Sequence, residues 1–372
     1  MITLVKFELK KLLDKKIAVF AVLAILFLTI QSGLSFSYSV SSSQYSVDGI
    51  NYIYGHEAVE KNQKLIEKYA GNFSDNTVQQ IIDDFDLQKN IDKRKNGEIN
   101  GYEIFNKPSY IYNSATALVM DKFVDGNGNI ASVSEITNNP DKLFLEYSET
   151  YKEFMMDLGT MSSIFVIFTI ICIAPVFNQE YSSCCDSIIL SSKYGKNKAV
   201  IAKLLASFIF ITLSFFIMIV ILFNLEIMNF GMSGANASVD LMSFMTKNSL
   251  TMLTTALLSV LFVYIGVMFI MMITMILSSF VNSFTTLIIA MLIYIVPVII
   301  ASNADISLTK LLMFLPGVFI GNGTLLGMQN IDYYNLFNLS LDVPATVMIV
   351  ACISCIVLGW VSYLNFKNHQ VV

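Results

Sequence analysis

Six long, uncharged apolar runs punctuate this chain, each near the length of about 20 residues that a helix needs to cross hydrocarbon. They predict spans at 17–38, 158–177, 204–225, 249–277, 284–302 and 345–366. Pro297 predicts a kink in the fifth. A further apolar stretch, Leu308 to Ile320, is broken at Pro316-Gly317 and again at Gly321-Asn322-Gly323. It is too short to cross the bilayer. Segment 303–344 therefore reads as a re-entrant or interfacial hairpin on the outer side, shaped by Pro316, Gly317 and Gly321, with a seventh span as the alternative.

The pattern changes at two places. Residues 1–16 read as an amphipathic helix, with Ile2, Val5, Leu9, Leu12 and Leu13 on one face. Lys6, Glu8, Lys10, Lys11, Asp14 and Lys15 occupy the other, and Phe7 falls on the wrong side. Such a helix lies in the membrane interface, where anionic lipid attracts its lysines. A cleaved signal peptide is the competing reading of residues 1–38, but no clear small-residue cleavage site follows.

Residues 39–157 are polar and read as a mostly helical insert. One helix is expected over 55–69, with Glu57–Lys61 and Glu60–Lys64 pairs at i,i+4. A second is expected over 75–95, with Val78, Ile81, Ile82 and Phe85 on one face. Pro108, the DGNGN stretch at 125–129 and Asn138-Asn139-Pro140 mark turns.

Composition agrees with a membrane body. The chain has 372 residues, of which 55% are hydrophobic and 14% charged. Soluble domains carry about 25% charged residues. The net charge of −5 averages two regions. The insert holds 11 basic and 19 acidic residues, while the remainder is mildly basic. No basic patch suggests nucleic acid.

Charge also predicts topology. With the N-terminus inside, the cytoplasmic pieces carry five N-terminal lysines, then Lys193, Lys196, Lys198, Lys203 and Lys367. The short outer loops carry Lys247 and Lys310. This positive-inside bias places both termini in the cytoplasm and 39–157 outside the cell.

Catalytic chemistry is missing from the sequence. There is no phosphate loop, no H-E-x-x-H and no G-x-S-x-G. His56 and His369 are the only histidines, so no multi-histidine metal site forms within one chain. Asp125, Asn127 and Asn129 have the spacing that opens a calcium loop, but Ile130 and Ile136 stand where Gly and Glu are required. That stretch reads as a turn. Cys352 and Cys355 form a C-x-x-C inside an apolar run and read as buried small thiols. Abundant Phe and Met read as packing or lipid contact. The spans are nearly free of ionisable groups, and Lys203 and Glu226 sit at span ends within reach of the interface. An ion-coupled transporter would place a charged coupling site within the membrane.

The polar stretch 178–203, NQEYSSCCDSIILSSKYGKNKAVIAK, separates the second and third spans. It reads either as a solvated loop or as a short helix offering Ile188, Ile189 and Leu190 to a cytoplasmic protein.

Four features resemble the permease subunits of the second class of ABC exporters. Leu4 through Leu12 resembles the interfacial elbow helix of that family. Glu180-Tyr181-Ser182-Ser183 through Ile189-Leu190-Ser191-Ser192-Lys193-Tyr194-Gly195-Lys196, ending in Ala202-Lys203, resembles its coupling-helix region. Leu311–Gly317 resembles its outer re-entrant segment, and the six-span layout matches. Cys184-Cys185 and Lys196 depart from the pattern, where a small residue and Arg are usual.

The resemblance implies an all-α polytopic fold with no cofactor and no enzymatic activity of its own. It implies separate cytoplasmic ATPase subunits that act on Glu180, Asp186, Ile188, Ile189, Leu190, Lys193 and Lys196. It also implies a second permease copy or a related permease beside it in the cell membrane. A membrane-anchored sensor or scaffold, binding a ligand through the insert without transport, is the alternative.

Overall fold

The structure is a computed structural model. It describes residues 1–13, 19, 22–23, 25–27, 29–30, 41–46, 49–97, 113–137, 139–182, 198–242, 250–321, 333–336 and 339–367. The described chain divides into two units. One comprises Met1–Ile30, Met156–Leu222 and Leu258–Val372; the other comprises Gln31–Met155 and Phe223–Leu257.

The apolar runs become helices, because a helix satisfies every backbone group without water. Among the described residues five are long and apolar enough to span a membrane: Glu149–Glu180, Val200–Phe230, Met252–Phe280, Ser283–Ala301 and Ala345–Asn365. The protein is a multi-pass membrane protein. The expected span at 17–38 lies mostly outside the described residues. Those described within it are helical, and Thr29 donates its hydroxyl to the Ile25 carbonyl at 2.8 Å.

Burial ranks these helices. The window in Glu149–Glu180 is 67% buried and that in Ala345–Asn365 only 17%. The first is therefore central and the second peripheral. Ile349, Ile353, Ile356 and Trp360, spaced by three and four, form an exposed apolar stripe on the last helix, the face suited to lipid.

Between the central helices phenylalanines pack on one another. Phe165 meets Phe215 edge-on at 5.5 Å and Phe168 at 5.2 Å, and Tyr264 shares a 2.9 Å hydrogen bond with Thr212. The abundant aromatics at these positions are core.

Segment 303–344 contains two short helices, Ile306–Leu312 and Pro316–Gly321, then a hairpin pairing Tyr333–Leu336 with Leu339–Asp342. The second helix buries Val318, Phe319 and Ile320, and Phe319 stacks on Phe262 at 4.0 Å. Two glycines admit it. A Cβ on Gly317 would overlap the Tyr294 carbonyl, and one on Gly266 would overlap Ile320 and Phe319.

The second unit has its own core. The Gly55–Tyr69 helix appears with the expected boundaries and carries the Glu60–Lys64 pair at 2.6 Å. The expected helix over 75–95 is two helices, Asp75–Asp84 and Gln88–Lys95. Asp86 breaks it at φ 51°, a left-handed conformation that Asp tolerates better than most residues. The break turns Leu87 and Ile91 into the core beside Ile81 and Ile82, all four essentially unexposed. Helix propensity yields here to packing.

Two further expectations change. The insert is mostly helical as expected, with Ser41–Ser46 paired antiparallel to Gly49–Tyr54 and Gly71–Asn72 to Phe144–Leu145. It is not confined to 39–157, since Phe230 and Leu241 belong to the same core as Phe73, Phe123 and Tyr147. Glu226 does not reach out from a span end but is 3% exposed. The 125–129 stretch is a turn as expected. The Asp125 carboxylate accepts from the Asn127 and Asn129 amides at 2.8 and 2.7 Å and from the Asn129 side chain at 3.0 Å. Those bonds, the Asn129 backbone bond foremost, hold its pKa below the usual carboxylate value. Pro108 lies outside the described residues.

Candidate functional site

The N-terminal helix, Ile2–Leu13, covers Val5, Leu9 and Leu12 of its expected apolar face, but the covered face also takes in charged positions. Leu12 is buried, and Leu4, Val5, Glu8, Leu9 and Lys11 are partly covered, while Ile2, Phe7 and Leu13 are exposed. Two charged residues expected on the polar face, Glu8 and Lys11, therefore point into the protein. They meet two more.

Glu180 lies near the C-terminus of the Pro175–Ser182 helix, and Lys203 lies in the first turn of Val200–Phe230. Each is at an end where the helix dipole opposes its charge. They compensate each other: Lys203 Nζ is 2.6 Å from Glu180 Oε1. Lys203 Nζ also reaches Glu8 Oε2 at 3.1 Å, and donates to the Val176 carbonyl at 3.4 Å. Lys11 Nζ contacts Glu180 Oε1 at 3.0 Å and Glu8 Oε1 at 3.4 Å. Each lysine thus bridges both glutamates, and the four formal charges cancel.

Burial makes this cluster consequential. Lys203 is 1% exposed and Glu180 5%. A lone buried charge is costly, and such a group persists only when paired and hydrogen-bonded. Lys11 is more open. Burial opposes its charge, but the hydrogen bond it donates to Glu180 and the charges of Glu8 and Glu180 outweigh that and raise its pKa above the usual lysine value. A small recess beside the cluster is lined by Glu8, Lys11, Gln179, Glu180, Lys203 and Ser207.

The cluster fastens three pieces of chain together. Glu180 and Lys203 flank the polar segment, so its two ends are clamped to each other and to the N-terminal helix. Of the residues expected to act on a partner, Asp186, Ile188, Ile189, Leu190, Lys193 and Lys196 lie outside the described residues. Glu180 is described, and it is a buried anchor, not a surface offered to a partner. Lys203 does not reach toward the interface as its span-end position suggests. Pro316 and Gly317 open the short helix packed against Ser283–Ala301, and Gly321 closes it.

Sequence reasoning missed Glu8, Lys11 and Lys203 as a group. The available signal was an acid at one end and a base at the other end of a single interhelical segment. Each residue taken singly obeys a local rule for a solvated charge.

The family described as "Protein of unknown function (DUF2705)" matches residues 128–368, more than half of the chain. No curated protein and no solved structure matches it.

Proposed function

The chain belongs to this family of unknown function, and we propose that it is the transmembrane permease subunit of an ATP-driven exporter, coupled to separate cytoplasmic ATPase subunits. In this reading six spans cross the cell membrane, both termini are cytoplasmic, residues 39–157 are extracellular, and a second permease copy or a related permease completes the path.

The observation that carries the reading is the clamp of Glu180 and Lys203, joined by Glu8 and Lys11. An external motor needs a handle that does not flex. A push on segment 183–197 enters the membrane body at Glu180 and Lys203. Because those residues are bound to each other, the Pro175–Ser182 helix, the Val200–Phe230 helix and the N-terminal helix receive the push together. The six apolar runs carry no Asp, Glu, Lys, Arg or His, which fits an energy source outside the chain. A coupling segment works only if it contacts two ATPase states differently.

The test is purification of the tagged full chain from its native membrane, with identification of co-purifying proteins. A phosphate-loop ATPase is expected, lost when Ile188, Ile189 and Leu190 are all changed to Asp. Retention of that ATPase by the triple variant overturns the coupling role. Absence of any ATPase from the wild-type preparation overturns the exporter reading.

A further inference from the structure

Pro175 stands two residues after the Glu149–Ile173 helix ends and opens the Pro175–Ser182 helix. Proline has no N–H to donate to the Ile171 carbonyl, and its ring crowds that turn. Such a break survives in a membrane helix where neighbouring hydroxyls satisfy the backbone. Ser278, fully buried on the Met252–Phe280 helix, does so here. Its Oγ donates to the Ala174 carbonyl at 2.7 Å and accepts from the Phe177 N–H at 3.2 Å. One side chain thus bridges both sides of the break.

The short helix has two other attachments. Asn178 donates its side-chain amide to the Val281 carbonyl, which also accepts from Thr286 Oγ1 at 3.3 Å. At the far end Glu180 sits in the ion cluster. A piece of two turns is therefore held at its root by a serine, along its side by an asparagine and at its tip by charge.

We propose that Ala174–Pro175 is a hinge and that Ser278 is the positioning residue that pins it, so that Pro175–Ser182 pivots as one piece. An unbroken helix carries its ladder of backbone bonds through every turn and resists bending. Here a bend draws on two bonds to one side chain that can follow the motion. A pivot carries Glu180, and with it Lys203 and the N-terminal helix. The hinge rests on the exporter reading only for what pushes it, and it is testable with no ATPase present.

Hydrogen exchange of the full chain in lipid nanodiscs reads the hinge directly. Ser278→Ala is expected to raise exchange across 174–182 about tenfold, the scale of losing one or two hydrogen bonds, and to leave 158–170 unchanged. Pro175→Ala restores the missing donor, and exchange at 174–178 is expected to fall below wild type. In the Pro175→Ala background Ser278→Ala is then expected to have no effect.

Equal effects of Ser278→Ala in both backgrounds, or a rise spread over the whole helix, make Ser278 a packing residue and overturn the proposal. No change in the wild-type background overturns it as well. If the hinge pattern holds while no ATPase co-purifies, the exporter reading falls alone.

Discussion

Lys203 Nζ lies 2.6 Å from Glu180 Oε1, although 23 positions of chain separate the two residues. The pair is buried, and each carboxylate oxygen or ammonium proton left without its partner would face a poorly solvated interior. The neighbouring Glu8 and Lys11 close the charge balance.

Lys203→Met removes the more buried of the two cations and leaves two carboxylates to share Lys11. Breaking a buried pair from one side destabilises by about 3–5 kcal/mol. The expected result is a large fall in the thermal midpoint of the full chain in detergent. Exchanging the charges, Lys203→Glu with Glu180→Lys, is expected to recover part of it. Lys11→Met acts at a more open position, leaves Lys203 in place, and is expected to cost about 1 kcal/mol or less. If all three variants melt with the wild type, the cluster has no structural role.

Gly317→Ala tests the seat of the Pro316–Gly321 helix. The added Cβ overlaps the Tyr294 carbonyl, which is backbone and cannot swing aside. Overpacking of this kind costs about 1–3 kcal/mol. Gly359→Ala is the control, because its nearest neighbour is the Met272 sulfur at an ordinary 3.7 Å. The expected result is a lowered midpoint for the first and no shift for the second.

Lys122 gives the second unit an unusual pH dependence. Burial, only partly offset by the Asp240 charge, lowers its pKa to about 8. In the unfolded chain the value is about 10.4. Below pH 8 both states hold the proton, and the fold carries the full penalty of a charged, poorly solvated amine. Between those values the unfolded chain binds more protons, so stability rises with pH. Discounting the shift for partial exposure leaves about 1–2 kcal/mol. Lys122→Met is expected to stabilise the chain by that amount at pH 7 and to abolish the rise between pH 8 and 10. A wild-type midpoint that falls over this range counts against the burial of this amine.

The elements that sequence made legible share one property: their neighbours along the chain decide them. An uncharged apolar run becomes a helix in hydrocarbon whatever surrounds it. The Gly55–Tyr69 helix is held by its own i,i+4 pairs and by an apolar face at helical spacing. The elements that were missed are decided at a distance. Asp86 turns left-handed because Leu87 and Ile91 are needed in a core built from residues distant in the chain, Phe230 and Leu241 among them. Ser41–Ser46 shows no alternation of apolar and polar residues, and its pairing is visible only beside Gly49–Tyr54. The ion cluster draws four residues from three segments, and the serine at the Pro175 break comes from a fourth.

Orientation decides whether an ATPase can reach segment 183–197 at all. In a cysteine-free variant, single cysteines at Lys64 and Lys193 report the two sides. Lys64 is exposed on the Gly55–Tyr69 helix, with a side chain 71% accessible. A membrane-impermeant maleimide is expected to label position 64 in intact cells, and position 193 only after permeabilisation. The positive-inside distribution of lysines predicts this order. The reverse order would put the acidic insert in the cytoplasm and the clamped segment outside, where no ATP-driven partner could push it. The clamp of Glu180 and Lys203 would then serve the packing of the helices alone.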